Sequence, residues 1–363
     1  MPGCDTDLAN NGGWLTNKEQ KGKQMKKILS AAVAAATMVT GAASAGVTTN
    51  MENPLFIPSA GQFASKTGAG VMYKRADHTD AMKLKHHSGA QEFPVWRFTE
   101  DFGYGITDSL GVYASLGWTQ NDDINRKGMH RGRMGLNYRM FETEDKSVWD
   151  MYGEAYLSGA SKMKGSYDVD GFTYDNFSNG RWGVVLGTRV GKTWSNITAS
   201  VFAEYLQTFG NHNNKIKLNR FDLTEMGYGV QSAAALGFPN EISVDLKSSK
   251  EITFGSNIFY QLNDVWSFGG GFRFVEHTDN GVKSIHTDVS RANQAVVKGL
   301  LMETSDMNDG WDEYIFSATI ASQITDSFQI ALFGEYTFDE SHKNSQNGTD
   351  IKAEVGVRAN VKF

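Results

Sequence analysis

The sequence predicts an all-β chain, a transmembrane up-and-down antiparallel β-barrel of about 12 strands. Three observations predict it. First, the last fourteen residues alternate: Ile351, Ala353, Val355, Val357, Ala359, Val361 and Phe363 are apolar or small. Between them stand Lys352, Glu354, Gly356, Arg358, Asn360 and Lys362. Side chains alternate faces along a strand, so one face is apolar and the other charged. Second, no run of about 18 apolar residues follows the N-terminal region, so no helical span is available. The 39 Gly, 12% aromatics and only 5 Pro suit strands joined by tight turns. Third, the connections between candidate strands alternate strictly between short and long.

The chain in order begins with a segment that belongs to no strand. Met25-Lys26-Lys27 precedes an apolar stretch, Ile28 to Ala45, that ends Ala43-Ser44-Ala45-Gly46. A basic start, an alanine-rich core and an A-x-A site read as a cleaved signal peptide, 25–45. Residues 1–24 then read as an upstream extension from a start codon placed too early, with Met25 as the initiator. The single cysteine, Cys4, falls in that extension. From Gly46 onward the chain has no thiol chemistry and no disulfide framework. Removing residues 1–45 leaves 30 basic and 38 acidic side chains, a balance of −8. That charge excludes nucleic acid as a partner. Residues 46–65, with Pro54 and Pro58, read as a lead-in that tucks under or into a barrel formed by 66–363.

Strands are expected at 66–76, 92–105, 108–120, 129–142, 147–160, 179–192, 196–210, 250–263, 265–277, 312–325, 327–339 and 350–363. Short turns fall at 107–109, 142–146, 193–195, 263–264 and 325–327, and long loops at 77–91, 121–128, 161–178, 211–249, 278–311 and 340–349. Gly105-Ile-Thr-Asp-Ser-Leu110 and Gln323-Ile-Thr-Asp-Ser-Phe328 are near copies, and Gln261-Leu-Asn-Asp-Val-Trp266 is a looser one. Such side chains close tight turns through their own backbone. Outward positions include Met134, Leu136, Tyr138, Trp182, Leu186, Phe268, Ile330 and Leu332. Aromatics gather toward strand ends, as interface girdles require. The second strand is the exception. Trp96, Phe98 and Phe102 share a face with Glu100, and a bulge would resolve the conflict.

The alternating terminal strand that stops on Phe363, the signal peptide and the strand parity together resemble bacterial (Gram-negative) outer-membrane β-barrel proteins of porin-like type. The resemblance covers about Lys66 to Phe363 and does not single out a narrower family. It implies short periplasmic turns, long extracellular loops and residence in the outer membrane of the cell envelope. It implies the lipid bilayer and lipopolysaccharide as surroundings. It also implies Phe363 as part of the signal read by the barrel assembly machinery.

The opposite faces supply the candidate site, a lumen wall. It comprises Arg131, Arg133, Arg139, Asp150, Glu154, Arg181, Arg189, Glu204, Arg273, Glu335, Lys352, Glu354 and Arg358. Neighbouring strands alternate in sign from the fourth to the seventh. Charges on a lipid face cost about 2–4 kcal/mol at midplane, so these side chains point inward. The wall reads either as a salt-bridge ladder filling a narrow lumen or as a channel for small polar solutes. The long loops 211–249 and 278–311 read either as an inward constriction or as a helical cap, since Val289, Ala292, Val296 and Leu300 have helical spacing.

Catalysis finds no support. Ser178-Asn179-Gly180 resembles a stretch of the outer-membrane phospholipase family, but Asn176 stands where that family has its histidine base. Asp168-Val-Asp-Gly171 is part of a calcium loop without its distal acid. His86-His87 is the only adjacent histidine pair. No metal or other cofactor is expected, and the chain is not expected to be an enzyme. The expected function is a porin-like channel for passive diffusion of small polar or charged solutes. The alternative is a closed structural or surface-interaction barrel working through its loops, and a membrane-embedded lipid hydrolase is the remotest reading.

Overall fold

The computed structural model describes residues 50–75, 95–121, 126–158, 164–168, 171–174, 181–223, 229–278, 282–286, 311–341 and 350–363. The expected upstream extension and signal peptide lie outside these residues. So do the stretch around Ser178, the pair His86-His87 and Val289 to Leu300.

Twelve strands close into a barrel. They are β1 (Phe63–Arg75), β2 (Val95–Gly105), β3 (Leu110–Asn121), β4 (Arg126–Glu142), β5 (Ser147–Ser158), β8 (Trp182–Trp194), β9 (Ile197–Phe209), β14 (Lys250–Gln261), β15 (Trp266–His277), β17 (Trp311–Thr325), β18 (Phe328–Ser341) and β19 (Asp350–Lys362). Each pairs antiparallel with its sequence neighbour in the ring, and β1 pairs with β19 to close it. Every end lies within three residues of its expected place. The other seven strands stand in the long loops. They are β6 (Lys164–Asp168), β7 (Gly171–Tyr174), β10 (Asn214–Leu218), β11 (Arg220–Leu223), β12 (Gly229–Ser232), β13 (Glu241–Leu246) and β16 (Val282–His286).

The repeated turn sequences act as expected. Thr107 Oγ1 accepts from the Ser109 and Leu110 N–H groups, and Asn263 Oδ1 accepts from those of Val265 and Trp266. Thr325 Oγ1 accepts from the Ser327 N–H. Each side chain satisfies backbone donors that a two-residue turn leaves open. At the closing seam Phe63 and Phe363 exchange both backbone hydrogen bonds, 2.7 and 2.9 Å. Their rings stand 5.0 Å apart.

The barrel is apolar outside and polar inside. Leu186, Met134 and Val355 are about 60% exposed on the outer face, while Asp150 and Asn360 are fully buried within. Polar side chains fill the interior because the lipid-facing side must be apolar. Some glycines on the inner face leave room for rings from neighbouring strands. Tyr152 lies against Gly187, and a side chain there would collide with its ring.

On β2 the structure corrects the expectation of a bulge. Its pairing to β1 and β3 runs without a register shift, so Glu100 stays on the outer face with Phe98 and Phe102. Ser65 and Thr67 donate hydroxyl hydrogen bonds to its two carboxylate oxygens, at 2.7 and 2.6 Å. Two donors on the facing strand take the place of an irregular backbone.

The loop side carries a second sheet, ordered β16-β13-β10-β6-β7, with β11 and β12 as a separate hairpin. Ile216, Leu218, Phe221, Phe238, Ile242, Val244, Leu246 and Val282 form its apolar core. The described residues of the 211–249 loop form strands, with no helix among them, and the helix-spaced Val289 to Leu300 lie outside the described residues. Residues of the 211–249 loop pair with β6 of the 159–181 connection and with β16 of the 278–311 loop.

Candidate functional site

The lead-in enters the turn-side mouth of the barrel. Asn50 Nδ2 donates to Gln261 on β14 and Ser267 on β15, and its Oδ1 accepts from Gln329 on β18. Glu52 binds Arg358 and Asn360 on β19. Asn53 Nδ2 donates to Thr198 on β9 at 2.9 Å. The Leu55 carbonyl accepts from Arg139 on β4 at 2.6 Å. Residues 50–55 thus touch strands on all sides of the ring, and Met51 and Leu55 are buried. Burial alone would raise the Glu52 carboxyl, but Lys66, Arg358 and Asn360 outweigh it and hold the group below its ordinary value.

At its end the lead-in meets β2. Gly61 N–H donates to the Gly105 carbonyl, 2.8 Å, and Gly105 N–H donates to Gln62, 3.0 Å. Gly105 has no Cβ, and any Cβ there would overlap the Ser59 and Pro58 carbonyls. The close approach requires glycine.

Above this segment the wall is charged. Asp150 on β5 is fully buried between two guanidinium groups: Arg139 Nε at 3.0 Å and Arg189 Nη2 at 2.7 Å. Arg133 reaches Glu154 at 3.5 Å and Glu204 at 3.8 Å. Tyr113 donates to Glu154, and Tyr152 donates to Glu204 at 2.8 Å. Arg273 pairs with Glu335 at 2.7 Å, and Arg97 with Glu354. Arg358 also lies over the Phe333 ring, 4.8 Å from its centre. The signs alternate because adjacent inward positions pair across strands: Arg139↔Asp150 and Asp150↔Arg189 are both in register.

A cavity of about 390 Å³ opens above the lead-in, with Met51, Phe56, Ile57 and Pro58 along its floor. Lys66, Asp101, Tyr113, Asn137, Glu204 and Asn257 are among its walls. Among the described residues no carboxylate or acceptor contacts the Lys66 ammonium, although Glu52 and Asp101 act on it through space. Asn137 Oδ1 is buried without a hydrogen-bond partner among the described residues.

Most of the expected wall residues come together in these clusters. Arg181 does not: its Nε donates to the Lys247 carbonyl at the base of the loop-side sheet, 3.1 Å away. The position has inward parity but lies just beyond β8, where the loop folds onto it. The side chains of Arg131 and Lys352 lie outside what is described. Asn137 shares the inner face of β4 with Arg133 and Arg139, as its parity predicts, whereas Asp101, Asn257 and Phe202 are cavity residues that sequence reasoning missed. Once Glu100 is read outward, Asp101 follows inward by parity, so the signal was in the sequence.

No protein-family model matches the chain, and no curated protein matches it. Solved structures do. The chain is similar to an outer-membrane channel from Pseudomonas putida F1, with 11% identity and a TM-score of 0.52, over 85% of this chain and 97% of that one. It also aligns with the NanC porin, 11% identical at a TM-score of 0.37, over 81% of this chain and 98% of that one. A KdgM porin aligns at 7% identity and a TM-score of 0.37, over 80% and 97%. The likeness to the Pseudomonas channel shows the fold, a closed antiparallel β-barrel.

Proposed function

We propose that this protein is an outer-membrane channel for small polar or charged solutes, held shut at its periplasmic mouth by residues 50–58. One observation carries the reading: a charged cavity lies directly above a segment that is hydrogen-bonded across the mouth. A barrel needed only as a scaffold could fill that space with apolar side chains at no loss of stability, because buried ion pairs contribute little net stability. The wall from Arg97 to Arg358 would then set ion preference, and the lead-in would set whether the pore is open. Deleting residues 50–58 is expected to give steady conductance in planar bilayers, where the whole chain conducts in rare, brief openings. Asn53→Cys with Thr198→Cys should lock the segment, and reductant should restore the openings. From Gly46 onward no other cysteine interferes. Arg133→Glu should shift ion preference toward cations. A clean preparation lacking 50–58 that never conducts sinks the channel reading.

The loop-side sheet favours a second reading, a barrel that works through surface contacts. That sheet has its own apolar core, more than a simple connection between strands needs. It predicts no conductance in either form and a loss of surface binding on deleting 278–311.

A further inference from the structure

The cavity above the lead-in holds polar groups without hydrogen-bond partners among the described residues, although Glu52 and Asp101 act on one of them, Lys66, through space. Lys66 stands on β1 and Asp101 opposite it in register on β2, yet the two make no ion pair. Asp101 instead accepts from Ser115. Asn257 on β14 makes no side-chain hydrogen bond among the described residues, and Asn137 Oδ1 has none either. A buried polar atom without a partner is costly, because it has lost water and gained nothing in exchange. Asn137 Oδ1 is such an atom, and the half-buried Lys66 and Asn257 stand on the same cavity without a side-chain hydrogen bond among the described residues.

The charges say which ligand. In the twelve-strand ring β9 lies diametrically opposite β1. Lys66 therefore faces the wall that carries Glu204. Arg133 is 3.5 Å from Glu154 and 3.8 Å from Glu204, so one guanidinium serves two carboxylates at long range. Arg189 pairs with Asp150, and Arg139, which shares that carboxylate, has Glu142 as a second partner. A simple anion drawn to Lys66 would confront the Glu204 side. A simple cation drawn to Glu204 would confront Lys66. A molecule with a charge at each end satisfies both. The rings of Tyr152 and Phe202, which border the cavity on the Glu204 side, add the aromatic surface that ammonium groups prefer.

We infer that this cavity binds a small zwitterion of the amino-acid or betaine class, its carboxylate on Lys66 and its ammonium on the Glu204 wall. The cavity volume accommodates a molecule of that size. The inference rests on the channel reading for its biological sense, since the ligand would be the solute in transit, but not for its test.

The test is isothermal titration of the whole chain in detergent with glycine betaine and L-alanine. Sodium acetate and tetramethylammonium chloride serve as single-charge controls. Saturable binding of a zwitterion, at least about tenfold tighter than either control, is expected. Lys66→Met and Glu204→Gln should each weaken it about tenfold, as loss of one charged hydrogen bond does. The unaltered protein is decisive even if a variant fails to fold. No zwitterion binding, or acetate binding as tightly, overturns the inference. Conductance through the chain lacking 50–58 without zwitterion binding overturns this site and leaves the channel. Zwitterion binding with no conductance supports this site and overturns the channel.

Discussion

The barrel and the loop-side sheet use the same alternating strand but bury opposite faces. In the barrel, Leu186, Met134 and Leu332 stand outside, and Asp150, Thr198 and Asn360 are buried. In the loop-side sheet Ile216, Ile242 and Val244 are buried, while Lys215 and Glu241 pair at its surface. The alternation carries no label for inside or outside, and the medium around each strand supplies it. Lipid takes the apolar face in the barrel. In the sheet, apolar faces can leave water only by packing on each other.

Each prediction strains one side of this contrast. The largest effect is expected from Asp150→Ala, which leaves the largely enclosed Arg189 without a carboxylate and Arg139 with Glu142 alone. A loss of about 3–5 kcal/mol is expected, read as a lower temperature for heat-modified migration on gels. Phe221→Ala should cost about 3–5 kcal/mol as well, but only in the loop-side sheet. Faster hydrogen exchange over 214–246, with unchanged heat modification of the barrel, would establish that the two regions are separate. Leu332→Ala makes a comparable deletion on the lipid face, where lost burial in lipid without a protein cavity should lower barrel stability by only about 1–2 kcal/mol. A large effect there would mean that this face packs against protein.

The smallest effect concerns acid. Burial raises the Asp245 carboxyl, but hydrogen bonds from His286, Ser284, His212 and the Asn213 N–H outweigh it and hold the group well below the carboxylate range. A carboxyl lowered on folding stabilises above its unfolded value, near about 4, and that contribution fades as pH falls through the folded value. The loop-side sheet should therefore loosen below about pH 4 while the barrel persists. Asp245→Asn should abolish the difference in exchange rates, corrected for intrinsic chemistry, between pH 6 and pH 3.

The barrel was legible because three signals agreed along the chain: period-two alternation, repeated turn residues and loop parity. The loop-side strands carry the same alternation, in Asn214-Lys-Ile-Lys-Leu218 and Glu241-Ile-Ser-Val-Asp-Leu246. They were passed over because each is short and its partner is distant: Lys215 pairs with Ser243 and with Lys164. Parity alone sets Arg139, Asp150 and Arg189 side by side, while Arg181 departs from them because parity ignores where a strand stops. Glu100 was misjudged because an outward carboxylate seemed to demand a bulge, and its donors Ser65 and Thr67 sit on another strand. The lead-in was placed in general terms only. Nothing local in Asn50 to Pro58 encodes a contact with Gln329 some 280 positions away.

Gly105 gives the turn-side mouth a single point of leverage. The chain can lie against β2 there only while that position carries no side chain. One added methyl group is then a wedge driven at the base of the lead-in, with every charge on the wall left as it was. On the channel reading proposed above, Gly105→Ala should turn a shut barrel into a leaky one, and cells carrying it should admit solutes that the parent chain keeps out.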